Sequence, residues 1–172
     1  MTIDSVVKTA IGFGSVGRPT TQAWQDQYRA GFVDDLTKKN SDREPMSRSD
    51  RLLWASVMAK RIFEETGDIE CCALLAKHSQ CIDERAKAIN ILAKYIKRHH
   101  LKLKKLPISF LLFSVASWAD VPFGRGMGEK IMQVDSELSR RTLYYRRNAV
   151  RAELQKMLDS VMTKLDITLE VC

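Results

Sequence analysis

From Leu53 to Leu165 the apolar residues recur every three or four positions, in blocks separated by glycine, proline or short polar stretches. That spacing places them on one face of a helix, whereas a half-buried strand needs alternation at every second position. The breaks fall at Gly67, near Ser79–Cys81, at Pro107 and across Asp120–Gly128, which holds Pro122 and three glycines. A chain punctuated in this way is expected to be all-α, with about seven helices: a helical body followed by a C-terminal helix-turn-helix and a long last helix.

The expected elements follow from local chemistry. Residues 1–19 carry Gly12, Gly14 and Gly17 before Arg18-Pro19, and read as a flexible N-terminal arm. Thr20 or Thr21 can cap a first helix that places Trp24, Tyr28, Phe32 and Leu36 on one slowly drifting face. Residues 38–47 are polar, contain Pro45 and read as a linker. Ser47 or Ser49 can cap a second helix, with Leu53, Val57, Ile62 and Phe63 as its apolar side and Gly67 as its stop. A third helix is expected over Ile69–His78. A fourth starts at Asp83, with Ala86, Ile89, Leu92, Ala93 and Ile96 inward. Pro107 suits the first turn of a fifth, through Trp118. A short sixth fits Gly128–Val134, and a long seventh follows Asp135-Ser136 to about Leu165. The tail, 167–172, alternates like a strand. The body is thus placed at 20–120 and the helix-turn-helix at 121–166.

Charge narrows the function. The 172 residues carry a formal charge of +7, and apolar residues make up 45%. That is an ordinary globular balance with a basic excess that favours a polyanionic partner. The excess is concentrated. Arg85, Lys87, Lys94, Lys97 and Arg98 occupy the polar side of the fourth helix, and His99, His100, Lys102, Lys104 and Lys105 continue the run. A second concentration lies in Ser139-Arg140-Arg141-Thr142-Leu143-Tyr144-Tyr145-Arg146-Arg147-Asn148.

This second run reads as the recognition half of a helix-turn-helix. Ser139 can cap the helix and leave its first turn to meet a phosphate or a base edge. Leu138, Thr142 or Leu143, and Val150 are expected to face inward, which leaves Arg140, Arg141, Tyr144, Tyr145, Arg147 and Asn148 for the outer surface. Arginine can bond guanine in bidentate fashion and asparagine can bond adenine, while tyrosine and serine hydroxyls reach phosphates. Arg125, between Gly124 and Gly126, can hold the backbone beside this helix, and Lys102, Lys104 and Lys105 supply further phosphate contacts.

The Ser-Arg-Arg-Thr-Leu-Tyr run after a short helix resembles the recognition segment of helix-turn-helix regulators. Over about Gly124 to Ser160 it is most similar to the C-terminal part of phage late-gene antitermination proteins, the Q class. The resemblance implies a DNA-binding transcription regulator that acts on RNA polymerase. The expected partner is double-stranded DNA, with RNA polymerase a further one. The alternatives are a helical protein–protein adaptor or host-interfering protein whose basic faces meet acidic protein, and an RNA-binding protein. In the last helix, Leu143, Val150, Leu154, Met157, Val161 and Leu165 form a row interrupted by Arg147. The row suits either pairing of two copies in a homodimer or packing on the chain's own core, and fewer than three clean heptads favour the core.

Other signals point away from chemistry. Gly12–Gly17 matches the dinucleotide pattern G-x-G-x-x-G, but a βαβ context is missing, so no cofactor is expected. Cys71, Cys72, His78 and Cys81 lie close together without paired C-x₂-C spacing, which predicts structural thiols beside an exposed His78 rather than a zinc site. His99-His100 has no carboxylate nearby, Asp34-Asp35 and Glu64-Glu65 look like helix surface, and no nucleophile motif is present, so no enzyme is expected. Met1–Val7 has no basic segment followed by an apolar run, and the stretch Leu106–Ala119 is too short to cross a bilayer. The expected setting is therefore cytoplasmic, with reduced thiols and no membrane.

Overall fold

The computed structural model describes residues 2–14, 48–100, 103–122, 126, 128, 130–131 and 138–169. These form an all-α structure of six helices, with no strand among the described residues: α1 (Ile3–Gly14), α2 (Arg48–Glu65), α3 (Asp68–His78), α4 (Ile82–His99), α5 (Ile108–Trp118) and α6 (Arg140–Leu169). The expected helix around Trp24–Leu36 lies outside the described residues. Of the short helix expected at Gly128–Val134, Gly128, Lys130 and Ile131 are helical and the rest lies outside them.

Residues 3–14 are not an arm. Ile3, Val6, Val7, Ala10 and Ile11 recur at helical spacing, and Val7, Ala10 and Ile11 join the main core. Gly12, the first glycine of the dinucleotide-like pattern, therefore sits within α1. A β-carbon there would lie 3.6 Å from Gln80 Cγ and 3.8 Å from the His78 carbonyl oxygen, so α1 passes close over the end of α3.

The inward face of α2 matches expectation at Ile62, which is buried in the core, and at Phe63, which packs against it, but not at Leu53 and Val57. Ala55, Ala59 and Ile62 are buried, while Leu53 is 67% exposed and Val57 is exposed. The reason is its neighbour: α2 packs most extensively on α1, and small residues let two helices approach closely. In α4 the buried set is Ala88, Ile89, Leu92, Ala93 and Ile96; Ala86 is exposed. α5 is buried along most of its length, including Phe110, Leu111, Phe113, Val115 and Trp118.

α6 is the longest element described, and it extends into the expected tail: Ile167 to Leu169 are helical, and Leu169 is buried. Its row of Leu143, Val150, Leu154, Leu158, Val161 and Leu165 is buried within the chain. Met157 packs against the same core from a half-buried position. The row that would pair two copies is thus already covered by α5, α3, α1 and α2.

Basic side chains from other segments satisfy helix C-termini, where carbonyls lack intrahelical partners. Arg85 Nε donates to the Ala76 carbonyl of α3 at 2.9 Å, and its Nη2 donates to the Ala119 carbonyl after α5. Lys77 Nζ donates to the Trp118 carbonyl at 2.9 Å and pairs with Asp120 at 2.5 Å. Lys164 reaches the Glu65 carbonyl at the end of α2. Asp120 has φ +57° and occupies the left-handed position that often ends a helix, with Val121 N–H donating to the Ala116 carbonyl at 3.0 Å.

Candidate nucleic-acid interface

The start of α6 is built as its sequence suggests. Ser139 Oγ accepts the Thr142 backbone N–H at 3.3 Å and lies 2.9 Å from Thr142 Oγ1. The Ser139 carbonyl accepts the Leu143 N–H at 3.0 Å. Ser139 is therefore the N-cap, and the first turn that follows it carries Arg140 and Arg141, both exposed.

Rotation about the helix sorts the remaining candidates. At about 100° per residue, Arg141, Tyr145 and Asn148 share a face within about 60° of one another, roughly opposite Val150 and Leu154. All three are exposed, Tyr145 by 71%. Tyr144 and Arg140 flank that face, and Tyr144 is 40% exposed. The outermost row is thus Arg141–Tyr145–Asn148.

Arg147 does not belong to the outer surface. It lies four residues after Leu143 and three before Val150, inside the buried row. Its Nη2 donates to Ser117 Oγ at 2.7 Å, and its guanidinium carbon lies 5.3 Å from the centre of the Phe113 ring. Its Nε is buried without a partner in the structure. Leu138, expected to plug the core, is exposed. The gap that Arg147 makes in the apolar row was the available signal: a helix that buries positions 143 and 150 buries position 147 as well.

Three contacts fix the course of α6. Arg147 meets Phe113 and Ser117 of α5, Gln155 Oε1 accepts the Trp118 indole N–H at 3.2 Å, and Lys164 approaches Glu70 at the start of α3. The first half of α6 thus lies against α5 and its later part reaches α3. The turn at residues 103–106 leads into α5. Lys104 and Lys105 in that turn are exposed. Lys102 and Arg125 lie outside the described residues.

Between Glu84 and Asp120 the sequence has no acidic residue, and none occurs from Leu138 to Ala152. Among the described residues, Lys104, Lys105, Arg141 and Arg146 make no ion pair; Lys8, Lys60, Lys77 and Lys164 do. Arg85, by contrast, was expected on the polar side of α4 and is half-buried, bonded to helix ends.

The cysteine–histidine cluster has a different character. Cys71 and Cys72 are free thiols on α3, and burial, chiefly, pushes both pKa values up, that of Cys71 to about 11. His78 is buried rather than exposed, with Nε2 unpartnered in the structure. Among the described residues no group of three or more His, Cys, Asp or Glu is placed to hold a metal ion. No helix among them is long and apolar enough to cross a membrane.

No family model matches the chain, and neither the curated proteins nor the solved structures contain a detectable match.

Proposed function

We propose that this chain binds double-stranded DNA through the first half of α6 and regulates transcription. The observation that carries this reading is the Ser139-capped start of α6, which exposes Arg141, Tyr145 and Asn148 on one helix face. In this reading Arg141 and Asn148 contact base edges, Tyr145 contacts backbone or base, and Ser139 and Arg140 position the helix end on a phosphate. Lys104 and Lys105 hold flanking phosphate. Arg147 has no part in contact and fixes α6 to α5. The resemblance of Gly124–Ser160 to phage late-gene antitermination proteins makes antitermination the form of regulation to test, with RNA polymerase as second partner.

Selection from a random duplex library, followed by titration of the selected duplex against salt, tests the binding. A preferred sequence is expected, with log K falling by about 0.9 per phosphate contact as log salt rises. Absence of binding at low salt overturns the reading. Transcription through a terminator downstream of the selected site, with and without the protein, tests the regulatory part.

A further inference from the structure

The outward face of α4 is not used in the proposed contact, yet it is the most uniformly basic helix face described. Lys87, Ile91, Lys94 and Arg98 fall within about 60° of one another and are all exposed, opposite the buried Ala88, Leu92, Ala93 and Ile96. Asn90 stands beside them, also exposed. Among the described residues, Lys87, Lys94 and Arg98 make no ion pair, and the nearest acidic residues in sequence are Glu84 and Asp120. α4 and α6 each pack on α3 and on α5 and have no extensive contact with each other. Lys104 and Lys105, in the turn that leads into α5, are also exposed.

From this arrangement we infer that the outer face of α4 is a second nucleic-acid surface, which holds the phosphate backbone of a duplex without reading its sequence. The inference rests on the DNA-binding reading of α6 and extends it. The face has the right length and chemistry. At about 1.5 Å per residue, Lys87 to Arg98 spans about 16 Å, the rise of about five nucleotides in one strand at about 3.4 Å each. Lysine is a compact point charge suited to phosphate oxygens, and it has no directional fork with which to choose a base. A protein partner fits less well. The only large apolar side chain on the face is Ile91, whereas protein interfaces are anchored by desolvated aromatic and arginine side chains at their centre.

The test uses the full chain and the triple variant Lys87→Gln/Lys94→Gln/Arg98→Gln, with circular dichroism and thermal unfolding to verify an unchanged fold. Affinity is measured against sodium chloride for the selected duplex and for a scrambled one. The triple variant is expected to flatten the slope of log K against log salt by about two to three on both duplexes, as loss of that many phosphate contacts requires, with the ratio of the two affinities preserved. An unchanged slope with wild-type binding intact overturns the α4 surface and leaves the α6 reading standing. A collapse of the affinity ratio overturns the sequence-independent role. If wild type binds neither duplex, both readings fall. If the substitutions spare DNA binding and weaken binding to poly-L-glutamate, the face belongs to an acidic protein partner instead.

Discussion

Arg147 of α6 holds its guanidinium over the Phe113 ring of α5, 5.3 Å from the ring centre, while its Nη2 bonds Ser117 one turn further along the same helix. One cationic side chain thus clamps two turns of α5 against α6. A charged donor to a hydroxyl and a cation over an aromatic face each contribute on the order of 1 kcal/mol when partly desolvated. The unpartnered Nε offsets part of that gain. Arg147→Met keeps the aliphatic stem and removes both contacts. It should lower unfolding stability by about 1–2 kcal/mol in denaturant titrations. The preference for a selected duplex over a scrambled one should stay at the wild-type value. A shifted preference with unchanged stability would place Arg147 on the interface.

The same ring sets a steric limit on Gly128. A β-carbon there would lie 2.6 Å from Phe113 Cζ and 2.9 Å from Cε2, closer than van der Waals contact allows. Phe113 is itself buried and touches Arg147, so it has little room to yield. Gly128→Ala should therefore cost about 1–3 kcal/mol, the usual range for overpacking a core. The check is a double-mutant cycle with Phe113→Leu. Strong coupling is expected, because the smaller side chain relieves the clash, and additive losses would show that the two do not meet.

Much of this arrangement is legible in the sequence, and the exceptions have physical causes. Gly67 and Pro107 mark the breaks that bound α2, α3 and α5, since the one favours a helix end and the other suits a helix start. α1 is masked by its glycines: Gly12 and Gly14 suggest a loop, yet Val6, Val7, Ala10 and Ile11 already carry the helical stripe. On α2, Ile62 and Phe63 follow the apolar pattern, but size alone does not fix the rest of its inward face. Leu53 and Val57 are larger than Ala55 and Ala59, but a close helix pair selects the small residues. For the candidate site, Ser139 as cap and Arg141 as an exposed group follow from sequence alone. The inward turn of Arg147, and the use of Arg85 on helix ends, depend on which helices become neighbours, and spacing within one helix does not encode that.

Arg141 and Lys104 should separate reading from holding. Arg141→Ala should cost about 1–3 kcal/mol at a selected site and relax one base preference, the effect of losing a bidentate contact to guanine. Lys104→Ala should weaken binding to all duplexes alike and reduce the salt slope by about one. Both residues are exposed, so thermal unfolding should be close to wild type for each. Equal losses on selected and scrambled duplexes for Arg141→Ala would remove it from base contact.

Burial also predicts the behaviour of the thiols. Thiolate is the reactive form, and burial raises Cys71 to about 11 and raises Cys72 as well. At pH 8 both should therefore be alkylated by iodoacetamide far more slowly in the native protein than in denaturant. Mass spectrometry of peptides after timed quenching gives the rates. Rapid native labelling at Cys71 would show that α3 opens readily or that the thiol is not buried.

His78 supplies an acid-sensitive step in stability. Its imidazole is buried at the end of α3, beneath the segment of α1 that contains Gly12, and burial, chiefly, pushes its pKa down from 6.5 to about 4. Asp4 acts in the opposite direction, while Lys8, Lys77 and Arg85 add to the lowering. Between these two pH values the unfolded chain binds a proton that the folded chain does not, so stability falls on acidification through that window. Above about pH 6.5 the contribution is complete, and below about 4 the loss levels off because both states are protonated. The slope is at most about 1.4 kcal/mol per pH unit, which gives a loss of about 3 kcal/mol across the window. Asp120 has the opposite charge and a separate range. Its hydrogen bond to Lys77 lowers its pKa from 3.8, so what it contributes is lost only in stronger acid, as pH falls through that lowered value. His78→Leu removes the titrating group and the unpartnered Nε2 together. Urea unfolding at pH 7, 5.5 and 4.5 should show a steep decline for wild type and a distinctly shallower one for His78→Leu. If the two proteins lose stability in parallel between pH 6.5 and 4, another group accounts for the acid sensitivity and His78 is not held neutral by its burial.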